Sequence, residues 1–95
     1  MNTPQPRPIH PGEILREDFL PDYALTAGSL ARALHVPRDR VEKLIREKRA
    51  ITADTAMRLA RYFGTTPQFW MNLQANFDLA SVPDGEIQSI EPRAA

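Results

Sequence analysis

Apolar residues recur at helical spacing along most of this chain, and the pattern predicts an all-α fold of five helices. Pro, Gly and Thr residues lie where such helices would begin or end. The predicted spans are Pro11 or Gly12 to Leu20, Ala27 to Leu34, Pro37 or Arg38 to about Arg46, a helix from a Thr52 cap through Phe63, and Pro67 to about Asp78.

The boundaries rest on residues with known preferences at helix ends. Thr26, Thr52 and Thr66 can each accept a hydrogen bond from a first-turn N–H group, so they are predicted N-caps. Gly64 suits the left-handed residue after the fourth helix. Pro21 is predicted to end the first helix, because proline cannot donate to the helix ladder.

Both ends of the chain have a different composition. Residues 1–10 contain Pro4, Pro6 and Pro8, which favour an extended or flexible arm. Residues 11–80 form the predicted helical domain. The tail, 81–95, has weak periodicity and is expected to hold either a short strand at Glu86–Ile90 or no stable structure.

The second and third helices have the spacing of a helix-turn-helix. The apolar positions that carry it are Leu30, Ala31, Leu34, Val36, Val41 and Leu44. The small Ala31 side chain lets two helices cross steeply. His35 takes the turn position that needs a positive φ, and Pro37 replaces the usual Ser or Thr cap.

The outer face of the third helix is charged, which indicates nucleic-acid binding. The whole chain has 12 basic and 12 acidic residues, yet residues 38–49 carry six basic side chains against three acidic ones. Arg38 and Lys43 are suited to guanine, and Asp39 and Glu42 can accept from cytosine or orient the basic groups. The predicted phosphate contacts or surface charges are Arg40, Arg46, Lys48 and Arg49.

An alternative interpretation is a solvated helix face whose charges pair with each other. Asp39 with Lys43 and Glu42 with Arg46 have the required four-residue spacing. A module of that kind would keep the fold, bind proteins and have little affinity for DNA.

Enzyme chemistry finds little support in the residues. The chain has no cysteine, and its two histidines, His10 in the predicted arm and His35 in the turn, lack ligand-like spacing to acidic residues. We therefore expect no catalysis, no cofactor and no metal. No membrane span and no secretory signal are expected either, so the predicted location is cytoplasmic.

The fifth helix carries a stripe of large side chains. Its members are Phe69, Trp70, Leu73 and Phe77. Some are expected to pack in the core, but so small a domain has limited interior. The stripe is therefore also the predicted homodimer interface, since paired helix-turn-helix units place recognition helices about 34 Å apart.

Two stretches of the chain, HPGEILREDFL and ITADTAMRLARYFGTTPQFWMNLQ, resemble the HigA-type antitoxins. These are lambda-repressor-like helix-turn-helix proteins of the XRE type, and the resemblance extends from about His10 to Leu79. It implies a dimer that neutralises a HigB-type mRNA endonuclease toxin and represses its own operon by binding double-stranded operator DNA. A stand-alone transcriptional regulator without a toxin is the alternative.

The resemblance also implies roles for individual residues. Arg38, Asp39, Glu42 and Lys43 match base-facing positions, whereas Ala27, Arg46 and Lys48 match positions that meet phosphates. The chain departs from the family at several places in this motif. The departures are His35 for Gly, Pro37 for Ser, Asp39 for Gln, and Arg46-Glu47 for Asn-Gly.

Overall fold

The protein is described by a computed structural model that covers residues 7–94. Within those residues there are six helices and no strand. The first helix, α1, has three consecutive segments, Pro11–Ile14, a π-helical Leu15–Phe19 and Leu20–Asp22. The others are α2 (Ala27–Leu34), α3 (Arg38–Ile45), α4 (Ala53–Phe63), α5 (Pro67–Ser81) and α6 (Gly85–Gln88).

The three predicted threonine caps are confirmed. Thr26 accepts the Ser29 N–H at 3.1 Å, and the Ser29 hydroxyl accepts the Thr26 N–H in return at 2.8 Å. Thr52 and Thr66 cap α4 and α5 in the same way, each accepting a first-turn N–H. Gly64 has a φ of 75°, as predicted for the residue that ends α4. Local side-chain chemistry therefore sets these boundaries.

Pro21 does not end α1, and the prediction that it would is wrong. Proline is excluded from helix interiors because its ring clashes with the carbonyl four residues earlier. Here Pro21 follows the π-helical turn Leu15–Phe19, whose wider spacing gives that ring room. The helix continues to Asp22, and Ala24, with a φ of 52°, then turns the chain away.

The C-terminal region also differs from the prediction. Helix α5 continues to Ser81, beyond Asp78, and the strand considered for Glu86–Ile90 is replaced by α6. A lone strand has no hydrogen-bonding partner, whereas a helical turn satisfies its own groups. The Gln88 N–H donates to the Asp84 carbonyl at 2.8 Å, closing the turn.

The core is built from residues of α1 to α5, and Trp70 of α5 is its largest fully buried side chain among the described residues. The Trp70 ring is 0% exposed, and its Nε1–H donates to the Thr65 hydroxyl at 2.8 Å. The ring of Phe19, from the π-helical turn, lies with its centroid 5.0 Å from that of Trp70. Trp70 is therefore a core residue of one chain, and its predicted place in a dimer interface is wrong.

The other members of the predicted stripe divide between core and surface. Leu73 is half-buried against the core, and Phe77 is half-buried with its ring against His10, at a centroid distance of 4.9 Å. Phe69 is the exposed member of the four. The side chains at helical spacing thus turn mainly inward, because α5 packs along α4 and beside α1.

His10 is packed, although the sequence predicted that it lies in a flexible arm. It is 4% exposed, and its Nδ1 accepts the Gly12 N–H at 2.8 Å, so the imidazole caps α1. Arg7, also in the predicted arm, forms an ion pair with Glu13 at 2.6 Å. Residues 1–6 of that arm lie outside the described residues.

No helix among the described residues is both long and apolar enough to cross a bilayer.

Stability should fall on mild acidification because of His10. Burial lowers the pKa of its imidazole, while Glu47, the Arg49 backbone and Asp78 act to raise it and Arg16 to lower it. The unfolded chain therefore takes up the proton first. The cap contribution is complete above the ordinary pKa of about 6.5 and is lost as the pH falls below it.

We expect the free energy of unfolding by urea to be smaller at about pH 5.5 than at about pH 7.5. In His10→Asn, an uncharged amide oxygen can accept the same Gly12 N–H. That variant should lose less stability over the same interval, with His35 present in both proteins. An equal loss in the two proteins would contradict the role given to His10.

Candidate nucleic-acid interface

The helix-turn-helix is formed by α2, α3 and the turn between them. His35 has φ 58° and ψ 46°, which confirms that it occupies the left-handed position. The Val36 N–H donates to the Ala31 carbonyl at 3.0 Å and closes the turn. Ala31 and Val41 are buried between the helices. The packing of α2 against α3 predicted from the apolar spacing is confirmed.

Arg58 of α4 stabilises the turn between α2 and α3. Its Nη1 donates to the Leu34 carbonyl at 2.9 Å and to the His35 carbonyl at 3.4 Å. These carbonyls end α2 and lack intrahelical donors, so a guanidinium satisfies them and complements the negative end of the helix. No local pattern in the sequence indicates this contact, because its two partners lie 24 positions apart.

The first turn of α3 has no side-chain cap. Pro37 is the N-cap residue, with φ −62°, and it provides no side-chain hydrogen bond. Arg38 lies over the start of α2, since a Cβ on Gly28 would be 3.8 Å from the Arg38 Cδ. Half-buried Ala27 is the first residue of α2. The Arg38 side chain therefore reaches from the first turn of α3 to the first turn of α2, and the N-terminus of each helix favours an anion.

The predicted base-facing residues share the outer surface of α3. Arg38 pairs with Glu42 at 2.7 Å, and Lys43 pairs with Asp39 at 3.0 Å. The side chains of Arg38 and Lys43 are 72% and 55% exposed. Exposed pairs of this kind contribute only about 0–1 kcal/mol each, so releasing the basic groups to a ligand costs little. Of the two pairs considered from sequence, Asp39–Lys43 forms, whereas Glu42 contacts Arg38 instead of Arg46.

Arg40 lies on another side of α3. Its Nη1 is 2.8 Å from Asp54 Oδ2, and Asp54 also receives Arg58 Nε at 2.9 Å. Hydrogen bonds from Arg58 and then Arg40 lower the pKa of the Asp54 carboxyl. The Arg40 guanidinium therefore ties α3 to the first turn of α4, and the structure gives no support to its predicted phosphate contact.

The loop after α3 presents three exposed basic side chains, Arg46, Lys48 and Arg49. They form no ion pair with any residue in the described part of the chain, 7–94. Together with the exposed face of α3, where Arg38 and Lys43 are paired with acidic residues, they form a surface whose unpaired charges within residues 7–94 are basic, although the chain as a whole carries no net charge. Such a surface suits the phosphates and base edges of duplex DNA.

Arg16 of α1 is a further residue that the sequence analysis left without a role. It contacts the end of α3 through the Ile45 carbonyl and the Glu47 carboxylate. The sequence indicates a role for Arg16 only through the family resemblance, because Arg16 lies within HPGEILREDFL, one of the two stretches that carry it.

Residues 7–94 place no three His, Cys, Asp or Glu side chains together in a way that could hold a metal ion.

Comparison with known proteins agrees with this geometry. Residues 24–70 match the helix-turn-helix family HTH_3. Virulence-associated protein I of Dichelobacter nodosus is 56% identical over 71 residues, which are 75% of this chain and 66% of that protein. The chain thus spans just under two thirds of this relative's length.

Two further relatives are named as antitoxins. Antitoxin HigA-1 of Vibrio cholerae is 39% identical over 79 residues, covering 83% of this chain and 74% of the relative. A solved structure of Pseudomonas aeruginosa antitoxin HigA with the higBA promoter is 50% identical, with a TM-score of 0.85 over 90% of this chain and 98% of the other. The chain therefore belongs to the helix-turn-helix family HTH_3 and, within it, to the HigA antitoxins.

Proposed function

We propose that this protein is an antitoxin that binds operator DNA as a homodimer and represses its own operon. The observation that carries the proposal is the exposed charged face of α3 beside the basic loop 46–49. The Pseudomonas aeruginosa antitoxin HigA, which is 50% identical, has a solved structure with the higBA promoter. Two copies of α3 in successive major grooves would cover a promoter and exclude transcription.

The affinity has two parts in this proposal. Arg38 and Lys43 exchange their partners on α3, Glu42 and Asp39, for base edges, which supplies sequence preference. The loop residues Arg46, Lys48 and Arg49 bind phosphates and displace counterions, so affinity falls with salt. The acidic Asp39 and Glu42 keep the free face close to neutral and limit binding to unrelated DNA.

A protein that reads two half-sites needs a dimer surface, and we propose that it lies nearer the C-terminus than the four residues predicted from sequence. Trp70 is buried within one chain, whereas apolar side chains lie exposed farther along, at the end of α5 and in the tail. The exposed apolar residues of α5 and the tail include Phe69, Leu79, Val82, Ile87 and Ile90. Leu79 is 75% exposed and Ile90 is 65% exposed. A second copy of the chain packed against them would remove this apolar surface from water.

The proposed second activity is neutralisation of a HigB-type mRNA endonuclease by direct contact in the cytoplasm. The protein itself is proposed to be no enzyme and to need no cofactor, since binding of the toxin suffices. A stand-alone regulator is the second candidate, because a relative from Escherichia coli, YbaQ, is 45% identical over 76 residues and is named an uncharacterized HTH-type transcriptional regulator.

Operator binding should depend on Lys43 and Lys48 in different ways. We expect Lys43→Ala to weaken binding to the DNA upstream of the gene by about 1–3 kcal/mol and to relax the preference at one base pair. Lys48→Ala should weaken binding on all sequences and lower the salt slope by about one. Fluorescence anisotropy against an unrelated duplex measures both effects.

Arg61→Ala is the matched control for these two variants. It removes one positive charge from an exposed position of α4 that forms no ion pair within residues 7–94. Its binding should stay close to wild type. Wild-type affinity in both lysine variants would mean that α3 and its loop do not bind the operator.

The dimer should depend on the C-terminal apolar residues. We expect Leu79→Asp combined with Ile90→Asp to weaken self-association at least about tenfold, since burying one such side chain contributes about 1.5–3 kcal/mol. Sedimentation equilibrium measures the change. Met57→Asp, at a 63% exposed position of α4, is the control and should remain dimeric. If the double variant associates as strongly as wild type, the dimer surface lies elsewhere.

Toxin neutralisation is tested by co-expression. The product of a short reading frame beside the gene should arrest growth when expressed alone, and this protein should restore growth. Lys43→Ala should restore growth equally well, because the toxin is expected to be bound apart from DNA recognition. Absence of such a gene, or arrest that persists with both proteins, would favour the stand-alone regulator.

A further inference from the structure

Helix α1 packs against the end of α3 at a contact that only glycine permits. A Cβ on Gly12 would lie 1.8 Å from the carbonyl oxygen of Leu44 and 2.8 Å from its carbonyl carbon. Neither atom can move away easily, because both belong to the backbone of the last turn of α3. The first turn of α1 therefore lies directly on the end of α3.

The Arg16 side chain crosses the same contact. Its Nη1 donates to the Ile45 carbonyl, and its Nη2 lies 3.2 Å from the Glu47 carboxylate. Its Nε donates to Glu17 at 2.9 Å, so the guanidinium is engaged on all sides. Carbonyls in the last turn of a helix lack donors, and a positive charge complements that end of the helix.

Glu47 occupies a position that glycine normally takes. Its φ is 62°. The Lys48 N–H donates to the Lys43 carbonyl at 2.8 Å and the Glu47 N–H to the Leu44 carbonyl at 3.0 Å, which is the bonding of a Schellman motif with Glu47 in the left-handed site. A glutamate there is strained unless its surroundings hold it. Arg16 contacts that carboxylate directly.

The motif links the two kinds of DNA contact proposed above. Lys43, on the base-facing side of α3, shares a backbone hydrogen bond with Lys48 in the phosphate-binding loop. Loss of the left-handed turn would redirect Lys48 and Arg49 while the rest of α3 stayed in place.

We propose that Arg16 is a positioning residue for operator binding, which holds Glu47 in its left-handed conformation and so sets the direction of the basic loop 46–49. The proposal rests on the proposed operator binding. It gives a role to the HPGEILR stretch that the helix-turn-helix alone leaves unexplained.

Arg16→Gln tests this role with two readouts. We expect operator affinity to fall about three- to tenfold, toward the lower end of the couplings found between contacting residues. We also expect amide hydrogen exchange at Lys48 to become faster by a similar factor, and this second measurement needs no DNA. Arg61→Gln makes the same change of charge on α4 and should alter neither quantity.

Rescue by glycine separates positioning from loss of charge or of general stability. Glycine adopts a positive φ without strain, so Glu47→Gly removes the need for Arg16. In that background Arg16→Gln should change operator affinity and Lys48 exchange by less than about twofold. Urea unfolding of the wild type, the two single variants and the double variant confirms that each is folded under the binding conditions.

Equal losses on Arg16→Gln in the wild-type and Glu47→Gly backgrounds would overturn the proposal, because Arg16 would then act independently of the turn. The proposal would also be overturned if Arg16→Gln kept the operator affinity and the Lys48 amide exchange rate of the wild-type protein. Failure of the wild-type protein to prefer its operator would instead refute the repressor function. The exchange of Lys48 would still decide the role of Arg16.

Discussion

The rest of the structure depends on the burial of one face of α3. Val41 and Leu44 are 2% exposed, whereas the opposite face of the same short helix carries four charged side chains. The small Ala31 lets α2 cross closely over that apolar face, and the left-handed His35 makes the turn short enough. The charged residues of α3 are thereby directed to solvent, to the start of α2 or to α4.

Both ends of α3 are supported by residues far away in sequence. Arg58 and Arg40 meet at Asp54 beside the first helical turns, and Arg58 also satisfies the carbonyls of the preceding turn. At the other end, Gly12 and Arg16 contact the last carbonyls of α3. Some basic residues therefore stabilise the fold, and others are proposed to contact DNA. Sequence composition alone does not show which basic residue has which role.

The incorrect predictions share one physical origin. Local pattern and composition misplace Trp70, His10 and Pro21, because their environments come from other helices or from an irregular turn. Trp70 is enclosed by α1 and α4, His10 rests on Phe77, and Pro21 is accommodated by the π-helical turn that precedes it. The ion pair of Arg40 likewise depends on a distant residue, since its partner Asp54 is 14 positions away.

The sequence by itself determined α1 to α5, the threonine caps of α2, α4 and α5, and the helix-turn-helix, because helical periodicity and capping are interactions between residues a few positions apart. It also placed Arg38, Asp39, Glu42 and Lys43 together on one exposed face of α3, a consequence of helical spacing. Only the tertiary structure decided which large side chains are core and which arginines are structural. Those outcomes depend on contacts between helices, and local spacing in the sequence does not encode which distant residues come into contact.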